Sequence, residues 1–231
     1  MYVSPTAATG RIRHNSLTEQ IANAVKLAIF AGELEPGQRL VEQAIAKEHN
    51  VGQNAVREAL ISLAHQGFVK RVANRATFVT KMSLEDAEQL SVVRGALEGA
   101  VVETVRRRYA AGEVSLDQLE SLLSGMREAG ERLDRTAFYR FDMEFHRELW
   151  RLTGNPFLEQ TLEQTVMPLF AFFIIQYFRK HDKLETLREA IPAHEQVVAC
   201  IRSGRTEEAR AALHALVEIS VKHQQGLVKL P

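Results

Sequence analysis

Along most of this chain apolar residues recur every three or four positions, the period of a helix with one buried face. Ile21, Val25, Ala28 and Ile29 form the first stripe. The preceding SLTE (residues 16–19) is a capping box, and Gly32 closes the helix. The run GELEPGQRL turns tightly around Pro36 and Gly37. A short second helix over residues 41–48 carries Ala44, Ile45 and Ala46. The third covers residues 53–65, with Ala55, Val56, Ala59, Leu60 and Leu63 on one face and Arg57 on another. Beyond Gly67 a β-type pattern takes over. Residues 68–80 read as two short strands turning at Ala73, Asn74 and Arg75. Three helices and a hairpin over residues 15–80 predict a winged helix-turn-helix, whose last helix enters the major groove of DNA.

A second regime begins at Ser83, again with a capping pattern, SLED (residues 83–86). From there no strand pattern remains. Helical stripes are broken at residues 112–115, 134–136, 154–156, 181–183 and 203–206. Short breaks between long helices predict an antiparallel bundle of six to seven helices over residues 83–231. The fold class is thus mainly α. Residues 1–14 are small, polar and basic, and read as a disordered arm. The longest apolar run, residues 166–175, is too short to span a bilayer and contains Pro168, so it reads as a buried core helix.

Formal net charge is zero, but the charge is uneven. Residues 1–80 hold nine basic against six acidic side chains, which leaves the remainder at −3. That asymmetry suits a DNA-binding head on a weakly acidic body, not a general polyanion binder. Cys200 is alone, so no intrachain disulfide forms, and its apolar neighbourhood reads as a packed thiol. With no signal-peptide core at the N-terminus, the expected location is cytoplasmic.

The stretch IFAGELEPGQRLVEQAIAKEHNVGQNAVREALISLAHQGFVKRVANRATFV resembles the DNA-binding domain of GntR-type bacterial transcription regulators. FDMEFHRELWRLTGNPFLEQ, followed by AHEQVVACIRSGRTEEARAALHAL, resembles the all-helical (FCD-type) ligand-binding domain of their FadR-like branch. The resemblance spans nearly all of the chain after residue 15. It implies a cytoplasmic, homodimeric transcription regulator, typically a repressor, that holds a palindromic operator in double-stranded DNA. It also implies a small organic-acid effector inside the helical domain.

Gln53, Asn54 and Arg57 lie in the first turns of the third helix and are the candidates for base contacts. Lys70, Arg71 and Arg75 on the wing are the candidates for phosphates or the minor groove. Where the family has a Ser/Thr-Arg-Thr-like run, this chain has Gly52, Gln53 and Asn54. Arg reads guanine, whereas Gln and Asn pair best with adenine, so the operator differs or this position contributes less.

In the helix over residues 137–152, Asp142 and His146 sit one turn apart at the edge of the stripe Phe138, Phe141, Phe145, Leu149 and Leu152. The spacing suits either an ion pair or two metal ligands. His194 falls inside the stripe Leu187, Ile191, Val198 and Ile201, where an imidazole needs a partner. Metal-binding members of the resembled family use an Asp and a His one turn apart, a His matching His194, and a further His where this chain has Leu216. The resemblance therefore implies a three-ligand set, Asp142, His146 and His194, for a divalent cation such as Zn²⁺ or Ni²⁺. A metal-free pocket using the same groups is the alternative. Arg94 interrupts an apolar stripe and needs a buried anion: an effector carboxylate, Asp142, or Glu98 one turn on. His65, His181 and His223 read as surface or structural. Two rivals remain from the sequence. One is a constitutive DNA-binding protein whose helical domain only dimerises. The other is a 2-His-1-Asp metalloenzyme, for which no acid or base stands beside the trio.

Overall fold

The computed structural model describes residues 16–72, 76–179 and 189–225. The expected arm (residues 1–14), the wing turn with Arg75, and His181 lie outside them. The N-terminal unit is α1 (Leu17–Ala31), β1 (Arg39–Leu40), α2 (Glu42–Glu48), α3 (Gln53–His65), β2 (Val69–Val72) and β3 (Ala76–Val79). Ser16 and Glu19 cap α1 reciprocally, and Gly32 ends it at φ 81°, in the left-handed region that favours glycine.

The hairpin is there, with Lys70 opposite Phe78 and Arg71 opposite Thr77. The stretch around Pro36 and Gly37, read as a plain connection, also holds a strand. β1 pairs with β3, giving the antiparallel order β1-β3-β2. Two residues are too short to show alternation, and the pairing is long-range, so the sequence carries no local sign of it.

Six helices follow among the described residues: α4 (Leu84–Ala110), α5 (Asp117–Glu131), α6 (Arg135–Arg151), α7 (Pro156–Arg179), α8 (Ala190–Arg202) and α9 (Thr206–Gln225). The capping box of Ser83 and Asp86 starts α4. The connections are short, as an antiparallel bundle requires. No described helix is long and apolar enough to cross a membrane, and the run at residues 166–175 lies buried inside α7.

Two cores meet at α7. The bundle core joins Val101 and Val105 of α4, Leu119 and Met126 of α5, Phe145 and Trp150 of α6, Val166 and Phe170 of α7, and Ile201 of α8. The core of the head joins Ile29 of α1, Leu60 of α3 and Phe68 to Met143 of α6 and to Ala171, Ile174 and Ile175 of α7. Phe30 of α1 stacks on Phe178 of α7, with centroids 4.2 Å apart and planes within 1°. Arg147 of α6 donates from Nη2 to the carbonyl of His65 at the end of α3 (3.4 Å) and from Nε to Glu163 of α7 (2.8 Å). The head is thus seated on the helical domain through α7.

Candidate functional site

The prospective DNA face starts at the N-terminus of α3. Gly52 precedes it with extended backbone and no side-chain cap. Gln53, Asn54 and Arg57 are all exposed, while Val56, Ala59, Leu60 and Leu63 bury the opposite face. Arg57 does not stand free in solvent. Its Nε and Nη2 both donate to Oε2 of Glu42, at the start of α2, over 3.2 and 3.0 Å. This fork holds the guanidinium beside the first turn of α3 and gives it a partner that DNA would have to replace or share. No local pattern marks Glu42 for this role, because the pair joins two helices through residues fifteen positions apart. Lys70 and Arg71 are exposed on β2, the edge strand, so both stay available to phosphate.

The second site lies between α4, α6, α7 and α8. Arg94 and Glu98 of α4 are each 1% exposed, and Arg94 Nε donates to Glu98 Oε2 over 2.8 Å. The guanidinium lies 4.4 Å from the ring centroid of Phe170. Of the partners open to Arg94, the structure selects Glu98 and brings Nη2 to 3.5 Å from His146 Nε2. Asp142 and His146 do not form the one-turn ion pair that their spacing allowed. Each turns to another helix. His146 Nδ1 is 3.1 Å from Glu98 Oε1, and His194 Nε2 of α8 is 3.0 Å from Asp142 Oδ1.

These are close approaches without aligned hydrogen bonds. Glu98 Oε1, His146 Nδ1 and His194 Nε2 are buried with no hydrogen-bond partner among the described residues. The tautomer of His194 follows from its other nitrogen. Nδ1 lies 2.7 Å from the carbonyl of Ala190, which can only accept, so Nδ1 carries the proton. In the neutral ring Nε2 then offers a lone pair, and it faces a carboxylate oxygen that also offers lone pairs. Such a contact calls for a cation or a proton between the two atoms.

One ligand atom each from Asp142, His146 and His194 fall within 4.8 Å of one another. Two ligands held about 2.1 Å from one divalent ion lie about 3.0 Å apart at the right angle of octahedral coordination and about 3.4 Å apart at the tetrahedral angle of zinc. The 3.0 Å between His194 Nε2 and Asp142 Oδ1 corresponds to the octahedral angle. The backbone carbonyl on His194 Nδ1 and the carboxylate beside His146 Nδ1 are the supports that metal-binding imidazoles use. The donor set therefore fits a divalent cation.

The charge states agree. Burial pushes the Asp142 carboxyl up, but His194, His146 and Arg94 outweigh it and hold it below its ordinary range. Burial likewise opposes ionisation of Glu98, yet Arg94 first and His146 second bring it down to about 2. Burial lowers His146, which favours the neutral, lone-pair form.

Leu216 is buried in the bundle core and has no ligand atom to offer, whereas His214 is exposed. His65 is exposed, with its carbonyl on Arg147, and the side chain of His223 lies outside the described residues. Two lining residues escaped the sequence reading. Phe170 contacts both Arg94 and His146, and Trp150 lies one turn beyond His146 on α6. The row Asp142, His146, Trp150 at four-residue steps was the available signal for the latter.

Comparison with known proteins accords with this architecture. The family described as "FCD domain" matches residues 89–218, and "Bacterial regulatory proteins, gntR family" matches residues 17–79. The chain is 23% identical to the "HTH-type transcriptional regulator McbR" of Escherichia coli strain K12, over 94% of this chain and 97% of that protein. It is 27% identical to the "Uncharacterized HTH-type transcriptional regulator YdhC" of Bacillus subtilis strain 168, covering 91% and 92% respectively. The solved structure "E. coli McbR/YncC" superposes with a TM-score of 0.68 at 22% identity, over 92% of this chain and all (100%) of that one, which shows a common fold. A winged head and an all-helical body, each matching its own family in this order, place the chain in the GntR family of bacterial transcription regulators, in the branch that carries an FCD domain.

Proposed function

We propose that this regulator is a homodimeric repressor whose grip on a palindromic operator is set by a small organic acid bound between α4, α6, α7 and α8. The supporting observation is the convergence of half-buried Asp142 with buried His146 and His194, whose ligand atoms lie within 4.8 Å of one another, with His146 Nδ1 and His194 Nε2 lacking hydrogen-bond partners among the described residues. Asp142 Oδ1, His194 Nε2 and a ring nitrogen of His146 would hold a divalent cation such as Zn²⁺ or Ni²⁺. Bound there, the cation would supply a Lewis-acidic anchor for an effector carboxylate, with coordination positions left open.

On the DNA side, Gln53, Asn54 and Arg57 would read bases, and Lys70, Arg71 and Arg75 would meet phosphates. The dimer follows from size: one small winged head buries little DNA, and a second copy doubles the contacts on a two-fold site. The acid alters operator binding only if it favours one placement of the heads over another. α7 suits that task, since Phe170 faces the cation site while Ala171, Ile174 and Phe178 touch the head.

The Arg94 contact favours a second reading. A guanidinium 3.5 Å from His146 Nε2 competes with a cation for that lone pair, and suits a metal-free pocket that binds the acid directly. Equilibrium dialysis of the full chain and of His194→Ala against Zn²⁺ and Ni²⁺ separates the two. Stoichiometric binding lost in the variant supports the cation site. Equal, weak retention by both proteins sinks it and leaves the direct pocket.

A further inference from the structure

Trp150 is the single tryptophan of the chain and is fully buried. Its indole N–H has no hydrogen-bond partner among the described residues. Burying a donor without an acceptor is costly, so it calls for an explanation. The buried side-chain polar atoms left without partners among the described residues are Glu98 Oε1, His146 Nδ1, His194 Nε2, Trp150 Nε1, Arg106 Nε and Arg210 Nε, and the first three of these belong to the site described above. The Trp150 ring centroid lies 6.3 Å from that of His146 and 6.4 Å from that of Phe170. Asp142, His146 and Trp150 climb the same side of α6 at successive turns.

The chemistry of the unsatisfied atoms is complementary to one kind of molecule. His194 Nε2 and Asp142 Oδ1 are acceptors and call for a cation, while Trp150 Nε1 is a donor and calls for an oxygen. The Phe170 face offers an apolar wall on which Arg94 already lies. A monocarboxylate anchored at the cation would leave the indole unmet. A compact acid with a second oxygen-bearing group, one helical turn along α6, would meet both.

We infer that Trp150 is a specificity-determining residue of the effector site. Its indole N–H donates to the second oxygen group of a small dicarboxylic or hydroxycarboxylic acid. This rests on the reading that the Asp142, His146 and His194 cluster binds an organic acid, and goes beyond it by choosing among acids. The indole separates binding from architecture, because Trp150→Phe keeps an aromatic ring in the core and removes only the donor and some volume.

The test uses the full chain with Ni²⁺ or Zn²⁺ and three probes: malate, tartrate and, as a monocarboxylate control, butyrate. A single tryptophan gives a single indole N–H cross-peak in a ¹⁵N spectrum. The expected result is a downfield shift of that peak with malate or tartrate and none with butyrate. Trp150→Phe should lose about ten- to a hundred-fold in affinity for the two hydroxy acids, as expected for a hydrogen bond to a charged group, and clearly less for butyrate. Acid binding that is abolished by His194→Ala, yet leaves the indole peak unmoved and Trp150→Phe unimpaired, overturns the inference while keeping the site. Failure of every probe to bind overturns the organic-acid reading, and this inference with it.

Discussion

At the scale of single residues, the buried Arg94–Glu98 pair is the most demanding feature of the helical domain. Both side chains are 1% exposed, so each charge depends on the other. Removing one partner of such a pair strands the other, so Glu98→Gln should cost about 3–5 kcal/mol in urea unfolding. Glu98 Oε1 also lies 3.1 Å from His146 Nδ1, so on the proposed cation site the same variant should bind Zn²⁺ or Ni²⁺ roughly 10–100-fold more weakly. The sign of the pH effect follows from the direction of the shift. The folded-state value of Glu98, about 2, lies below its ordinary 4.5, so its stabilisation is present above pH 4.5 and drains away as pH falls from there toward 2. The acid limb of a stability profile should therefore flatten in Glu98→Gln, and an unchanged limb would count against it. Arg94, Asp142, His146 and His194 were all legible as candidates, because each interrupts or edges an apolar stripe. Their true partners were not. Spacing along one helix suggested Asp142 with His146, and the bundle paired them with residues 52 and 48 positions away.

At the scale of elements, α7 carries the connection between the halves. Gly67, at φ 78°, lies so close to its backbone that a methyl group there would sit 2.3 Å from the carbonyl oxygen of Met167 and 2.6 Å from the nitrogen of Pro168. Glycine is thus required twice, for the left-handed turn and for the close approach. Gly67→Ala should lose at least about 1–3 kcal/mol from backbone strain alone. It should also loosen the seat of the head. Faster proteolytic cleavage between β3 and α4, at residues 80–83, would report that loosening, and wild-type resistance would argue against it. In the recognition helix, Arg57→Ala should weaken operator binding by about 1–3 kcal/mol if the guanidinium leaves Glu42 for a base. A gel-shift midpoint equal to wild type would assign Arg57 to the Glu42 pair alone. The sequence marked Gly67 as a helix stop, and it is one. That it is also a contact point depends on a helix a hundred residues downstream.

At the scale of the whole molecule, affinity for DNA should be governed by charge that the net total conceals. Lys70 and Arg71 are exposed on the edge strand, and each phosphate contact releases condensed counterions. Arg71→Ala should weaken specific and random DNA similarly. It should reduce the slope of log K against log salt by about 1 for each chain bound, so a dimer would lose about 2. Stoichiometric titration of a palindromic site should give two chains per duplex. One chain per duplex, with a slope change near 1, would remove the dimer from the proposal. The shared core of the head and α7 means that these heads do not hang from a loose tether. A change of packing around Phe170 therefore has a solid route to α3.

What the sequence determined by itself was local or periodic. The helices, both capping boxes, the recognition helix over Gln53–His65, the hairpin and the stripe-breaking polar residues all follow from spacing of 3.6 or 2 and from cap chemistry. The tertiary structure alone decided which polar groups meet: Arg57 with Glu42, His146 with Glu98, His194 with Asp142, and the indole of Trp150 with none among the described residues. It also decided that the two-residue β1 completes the sheet and that α7 belongs to both cores. The physical reason is the same throughout. Periodicity tells which face of a helix is buried, but a pairing between helices depends on how those faces are brought together in space, and no local pattern records that.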